Sequence, residues 1–210
     1  EMVKIAQGKS VLVKTTMENN FCLTAEQLEA AITPATKLLL LCSPNNPTGS
    51  VYTLENLKAI VEVLKKYPQI VVLADEIYQH ILYTGKHETM AQFPEIEDRL
   101  IIINGVSKAY AMTGYRIGWL ASHDKDFITA VKRLQGQTIS CATTIAQRAA
   151  EAAYTGPQEC VEEMRQAFER RRDLIVRLRL DGSYSKTEQK TKHYYLQDIS
   201  LGKCLNRIGG

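Results

Sequence analysis

The sequence lacks any apolar run long enough to cross a membrane. Its runs, Leu38–Cys42 among them, fall far short of the roughly 20 residues that a bilayer requires. It has no charged-then-apolar start of the signal-peptide kind. It has five cysteines, at 22, 42, 141, 160 and 204. The number is odd and no two form a C-x-x-C pair, which argues against a disulfide framework or a zinc site and for a reducing cytoplasm. The four histidines (80, 87, 123 and 193) show no metal-ligand spacing. No internal repeat and no Gly/Ser-rich or Pro-rich linker interrupts the chain. What is there is ordinary for a globular protein: 45% hydrophobic and 23% charged residues, which excludes global disorder. At 210 residues, one domain with an appendage or two small ones can bury a real core. The first residue is Glu1 rather than Met, and residues preceding it are expected.

The net charge of +3 hides an asymmetry. Residues 165–210 hold eleven Lys and Arg against five Asp and Glu, a balance of +6. Residues 1–164 carry −3. The basic segment could contact nucleic acid electrostatically, but it has no aromatic-interleaved motif or DNA-binding pattern. The reading is a solvated helix face followed by a disordered tail, with neither nucleic acid nor membrane as partner.

Runs rich in β-branched and leucine residues at Val11–Thr15, Leu38–Cys42, Ile70–Ala74, Leu100–Val106 and Ile117–Ala121 predict strands of a mostly parallel sheet. Helical patterns lie between them. Thr24 and Thr53 read as N-caps. Leu54, Leu57, Ile60, Val61 and Leu64 form one stripe. Further helices are predicted over Asp124–Leu134 and Thr143–Tyr154. A long helix follows Gly156-Pro157, with Pro157 in its first turn and Val161, Met164, Phe168, Ile175 and Leu178 along one side. The alternation predicts an α/β fold.

Three polar clusters each follow directly from a predicted buried strand. They are Ser43-Pro-Asn-Asn-Pro-Thr-Gly49, Asp75-Glu-Ile-Tyr78 and Ser107-Lys108. In open α/β sheets ligands bind beyond the carboxyl ends of the strands, so parallel strands would bring all three to one crevice. Each also has a plain structural explanation. The first is a turn by composition alone, or a rigid loop offering the Asn46 amide to a ligand oxygen. Asp75 is a helix-capping or salt-bridged acid, or an acid that wants a cation, a metal or a protonated ring nitrogen. A Walker-B reading of its strand fails, because no G-x-x-x-x-G-K-[ST] loop exists. Lys108 is a snorkelling surface lysine, or a desolvated amine able to bond an aldehyde. Arg116 is a surface charge, or a two-pronged phosphate ligand. Taken together, an amide, a carboxylate, a phenol, an amine and a guanidinium fit pyridoxal phosphate. Lys108 would bond the aldehyde and Asp75 would pair the ring nitrogen. Asn46 and Tyr78 would bond the ring hydroxyl, and Ser107 and Arg116 the phosphate.

Ser-Pro-Asn-Asn-Pro-Thr-Gly, Ala-Asp-Glu-Ile-Tyr and Gly-Val-Ser-Lys-Ala-Tyr-Ala-Met-Thr-Gly-Tyr-Arg-Ile-Gly-Trp, in that order, resemble the class I/II aminotransferases of the fold-type I pyridoxal-phosphate enzymes. Within them the likeness is greatest to bacterial aspartate aminotransferases and their prephenate-using relatives. The resemblance covers about residues 1–178 and is most specific over 43–121. It implies a three-layer sandwich on a mostly parallel sheet, with the strand at Ile117–Ala121 antiparallel. It divides the chain into part of a cofactor-binding large domain (1–154), a long interdomain helix (155–180) and a non-family, irregular tail (181–210). It implies catalytic roles for Lys108, Asp75 and Tyr78, and cofactor contacts from Asn46, Asp75, Tyr78, Ser107, Lys108 and Arg116. It also implies a cytoplasmic homodimer exchanging an amino group between an aspartate-like amino acid and a 2-oxo acid.

Family members are longer. The chain is expected to start after the glycine-containing phosphate loop and the aromatic that stacks on the ring. It is expected to stop before the arginine that grips the substrate carboxylate. Its last residues read like an abrupt replacement, as a frameshift would give. Two other functions fit the same sequence: a carbon–sulfur lyase or aminocyclopropane-forming enzyme sharing all three motifs, and a non-catalytic remnant.

Overall fold

The computed structural model describes residues 1–180. Residues 181–210, where the irregular tail is expected, lie outside them.

Local sequence starts the helices where expected. Thr24 Oγ1 accepts the Gln27 amide and Thr53 Oγ1 accepts the Asn56 amide, each within a reciprocal capping box. They open α2 (Ala25–Ala31) and α3 (Leu54–Lys65); a four-residue helix, α1 (Met2–Ile5), precedes both. Asp124 and Thr143 cap α4 (Lys125–Thr138) and α5 (Thr144–Thr155) by accepting the Phe127 and Ala146 amides, without the reciprocal bond. The long helix α6 runs Glu159–Leu180. Pro157 lies before it rather than in its first turn, because the Gln158 carbonyl accepts the first helical amide, from Val161.

Four strands form one sheet in the order β1 (Leu38–Cys42), β2 (Val71–Asp75), β3 (Leu100–Gly105) and β4 (Gly118–Ser122). The first two pairings are parallel and the third is antiparallel. The mixed sheet with flanking helices is the α/β architecture expected. Val11–Thr15 is not a strand. Val11 and Leu12 are exposed, and β-branched content makes a strand only where another edge accepts its ladder.

The register separates two faces of the sheet. Leu41, Val72, Ala74 and Leu100 pack with Leu57, Ile60, Val61 and Leu64 of α3 in a single core. The α3 stripe therefore buries the residues predicted, apart from Leu54, which is only partly buried. On the opposite face α4 borders a cleft of about 440 Å³ with Ile103 and Leu120, while Leu38 and Leu40 remain exposed.

The turn from α3 into β2 is closed by a residue far along the chain. Arg99 Nη1 donates to the carbonyls of Tyr67 (2.7 Å) and Ile70 (3.0 Å), and Nη2 to that of Leu64 (3.0 Å). One guanidinium thus gathers three carbonyls, two of which also accept backbone amides: Leu64 from Tyr67 at 2.9 Å and Tyr67 from Ile70 at 3.1 Å. Arg99→Met keeps the apolar stem and removes all three charged bonds. It is expected to cost about 2 kcal/mol, seen as a lower urea midpoint at unchanged m-value.

Candidate active site

The ladder registers the strand ends. Cys42 pairs with Asp75, and Asp75 with Ile103. The residues that follow β1, β2 and β3 therefore leave the sheet along one edge. Because β4 runs antiparallel, its first residue, Gly118, sits opposite Gly105. Arg116, just before β4, is thereby brought to the edge that Ser107 and Lys108 leave, just after β3. The approach is close: a Cβ on Gly105 would lie 2.8 Å from the Gly118 Cα, so only glycine fits without a shift.

Within Ser43–Gly49 the two asparagines divide their tasks. Asn45 builds the turn, its Oδ1 accepting Thr48 Oγ1–H (2.8 Å) and the Thr48 amide (3.3 Å). The Ser43 amide ties the loop to the Asp75 carbonyl at 3.1 Å. Ser43–Pro44 and Asn46–Pro47 are cis. Asn46 is exposed, and its Nδ2 donates to the Tyr78 hydroxyl at 2.9 Å. The Tyr78 side chain is buried, and Lys108 Nζ lies 5.4 Å from its ring centroid. Three of the predicted residues therefore converge directly.

Asp75 is half-buried at the end of β2 and accepts the Ile77 amide at 3.1 Å. None of the ion pairs among the described residues engages it or Lys108. Asp75 shares its face of the sheet with Cys42. Burial, and then the Asp75 charge, push the Cys42 thiol up. Ser107 is half-buried beside Lys108. Arg116 reaches the correct edge but turns back on itself. It is exposed, has φ 52°, and donates from Nη1 to the Thr113 carbonyl at 3.0 Å. No group of three or more His, Cys, Asp or Glu among the described residues could hold a metal ion. No described helix is long and apolar enough to cross a membrane.

A protein-family model, aminotransferase class I and II, matches residues 1–200. The chain belongs to the class I and II aminotransferases. Among individual aminotransferases, it is 49% identical over 177 residues to the aspartate aminotransferase of Geobacillus stearothermophilus, covering 83% of this chain and 44% of that one. It is 44% identical over 178 residues to the aspartate/prephenate aminotransferase of Nitrosomonas europaea, covering 84% of this chain and 45% of the relative. The crystal structure of the Rhizobium meliloti aspartate aminotransferase superposes with a TM-score of 0.81 at 44% identity, over 84% of this chain and 44% of that chain. The chain thus spans less than half the length of these relatives. The family match also extends over residues 181–200, beyond the described part.

Sequence reasoning missed Glu76, the buried carboxylate directly after Asp75, and His87, a half-buried imidazole 3.0 Å from it. The available signal was a second acid directly after Asp75 at a strand end, where any buried carboxylate needs a partner.

Proposed function

We propose that the protein is a pyridoxal-phosphate-dependent aminotransferase acting on an aspartate-like amino acid and a 2-oxo acid. The observation that carries this reading is the convergence of Asn46, Tyr78 and Lys108 beside Asp75, a half-buried carboxylate with no cation partner among the described residues. That donor set fits the cofactor. Asp75 would hold a protonated ring nitrogen, Asn46 and Tyr78 the ring hydroxyl, Lys108 the aldehyde, and Ser107 and Arg116 the phosphate. When bound, the cofactor supplies an electron sink for charge developing at the substrate α-carbon. Lys108 Nζ, released as a free amine, would take the α-proton and return it during transfer. General acid–base catalysis of this kind contributes about 10²–10⁴-fold. Arg116 would have to leave the Thr113 carbonyl to reach a phosphate, a rotation its exposure permits.

The same lineage supports a homodimer working in the cytoplasm. It also supports a division of the chain into part of a large domain over 1–154 and an interdomain helix over 155–180. The test is product analysis. Protein incubated with pyridoxal phosphate, aspartate and 2-oxoglutarate is expected to form oxaloacetate and glutamate in equal amounts. Release of ammonia with no requirement for an acceptor would assign a lyase instead. Neither product, together with no visible-range absorption from added cofactor, would refute the reading.

A further inference from the structure

Glu76 is 5% exposed and follows Asp75 directly. Its carboxylate is paired on every side, but never with the crevice. Oε1 accepts the Thr89 hydroxyl at 2.8 Å and the Met90 amide at 3.0 Å. Oε2 meets His87 Nε2 at 3.0 Å. With Nε2 donating, His87 Nδ1 is left as an acceptor. It is buried without a partner among the described residues, so the bond to Glu76 is the polar contact that holds the ring.

The backbone of Glu76 is equally committed. Its amide donates to the Ile103 carbonyl of β3 at 3.0 Å, and its carbonyl accepts the Gln79 amide at 2.9 Å. Between Tyr78 and His87 the chain swings out to α6. There Arg165 Nη1 donates to the Leu82 carbonyl at 3.3 Å and the Arg172 guanidinium lies 4.5 Å over the Tyr83 ring. A single carboxylate therefore closes the loop 76–90 at its root, with Asp75 immediately before that root and Tyr78 two residues into the loop.

We propose that Glu76 is a positioning residue for the crevice: by tying His87, Thr89 and Met90 to the position beside Asp75, it sets the placement of Asp75 and Tyr78 against Lys108. Its consequence for cofactor rests on the function proposed above; its geometry does not. A buried carboxylate with three donors resists displacement, because each bond to a charged acceptor is stronger than a neutral one. Small displacements of positioned groups cost reactivity steeply.

The test joins amide hydrogen exchange of the cofactor-free chain with borohydride trapping of pyridoxal phosphate on Lys108, read by peptide mass spectrometry. In Glu76→Ala, exchange at Ile77, Gln79, Ile81 and Met90 is expected to quicken by about 10–100-fold, with α3 unchanged. Trapping at Lys108 per folded molecule is expected to fall about tenfold. Glu76→Gln, which keeps an acceptor oxygen, should recover most of both. If Glu76→Ala does not fold, Thr89→Val removes one donor and should quicken exchange at Ile77 and Met90 severalfold. Unchanged exchange at 77–81, a uniform rise across α3 and the sheet, or local loosening with undiminished trapping would each overturn the proposal. If wild type fails to trap cofactor on Lys108, the cofactor reading falls. The exchange data then decide alone whether Glu76 holds Asp75 and Tyr78 in place.

Discussion

Lys108→Ala is expected to abolish the visible-range absorption that pyridoxal phosphate acquires on the protein and to slow amino transfer by at least about 100-fold. The reason lies in where the amine sits. Lys108 follows β3, whose last residues Asn104 and Gly105 are buried, as are Val106 after it and Ala109 beyond the lysine. The backbone on both sides is thus held, and the side chain is directed to the Tyr78 ring instead of into bulk water. None of the ion pairs among the described residues engages it, so no salt bridge holds the amine away from a bound aldehyde. Alanine deletes both the bond to the aldehyde and the base that moves the proton. Lys108→Arg separates the two kinds of contribution. It keeps a positive charge near Tyr78 but has no usable nucleophile, since the guanidinium stays protonated. It should therefore fail as completely as alanine. Spectrophotometric titration with cofactor, followed by borohydride and peptide mapping, reads both variants. A full band with cofactor fixed elsewhere in Lys108→Ala would remove this lysine from the mechanism.

Leu64→Ala is expected to destabilise the fold by about 2–5 kcal/mol. Leu64 is 0% exposed, in the last turn of α3, and packs in the core with β1 and β2. Its backbone carbonyl is one of the three held by Arg99. The deleted side chain would leave a void in the layer that joins α3 to the sheet. Relaxation is limited there, since Ile60, Ile70, Val72 and Ile96 around the same core are also 0% exposed. A loss of about 3 kcal/mol would lower Tm by roughly 6–12 °C for a domain of this size. Thermal unfolding followed by circular dichroism checks it. A shift within about 2 °C would mean that the site collapses around the smaller residue. Cofactor binding should suffer only as the folded fraction falls, which distinguishes this variant from Lys108→Ala.

How far the molecule was legible from its residues depends on the range over which each feature is decided. Helix starts were readable because a cap is local: Thr53 and Asn56 bond each other across three residues. The α3 stripe was readable because helical period alone places Leu57, Ile60, Val61 and Leu64 on one side. The three strand-end motifs were readable because a buried apolar run ending abruptly in Asp75 or Ser107-Lys108 demands an explanation wherever it falls. Val11–Thr15 misled, since strand propensity is expressed only on a partner edge. The direction of β4 could not be read from its composition and came only from the family likeness. An apolar run reads the same parallel or antiparallel, yet its direction brings Arg116 to the crevice edge.

The chemistry of the crevice was therefore written in the chain, as an amide, a phenol, a carboxylate and an amine after successive strands. Its arrangement was not. The bond from Asn46 to Tyr78 spans 32 residues, that from Arg99 to Leu64 spans 35, and the Glu76 carboxylate reaches Met90 across 14. Periodicity carries no information about such pairs. They exist because packing α3 on the sheet sets the strand ends side by side and buries polar groups that must then find partners.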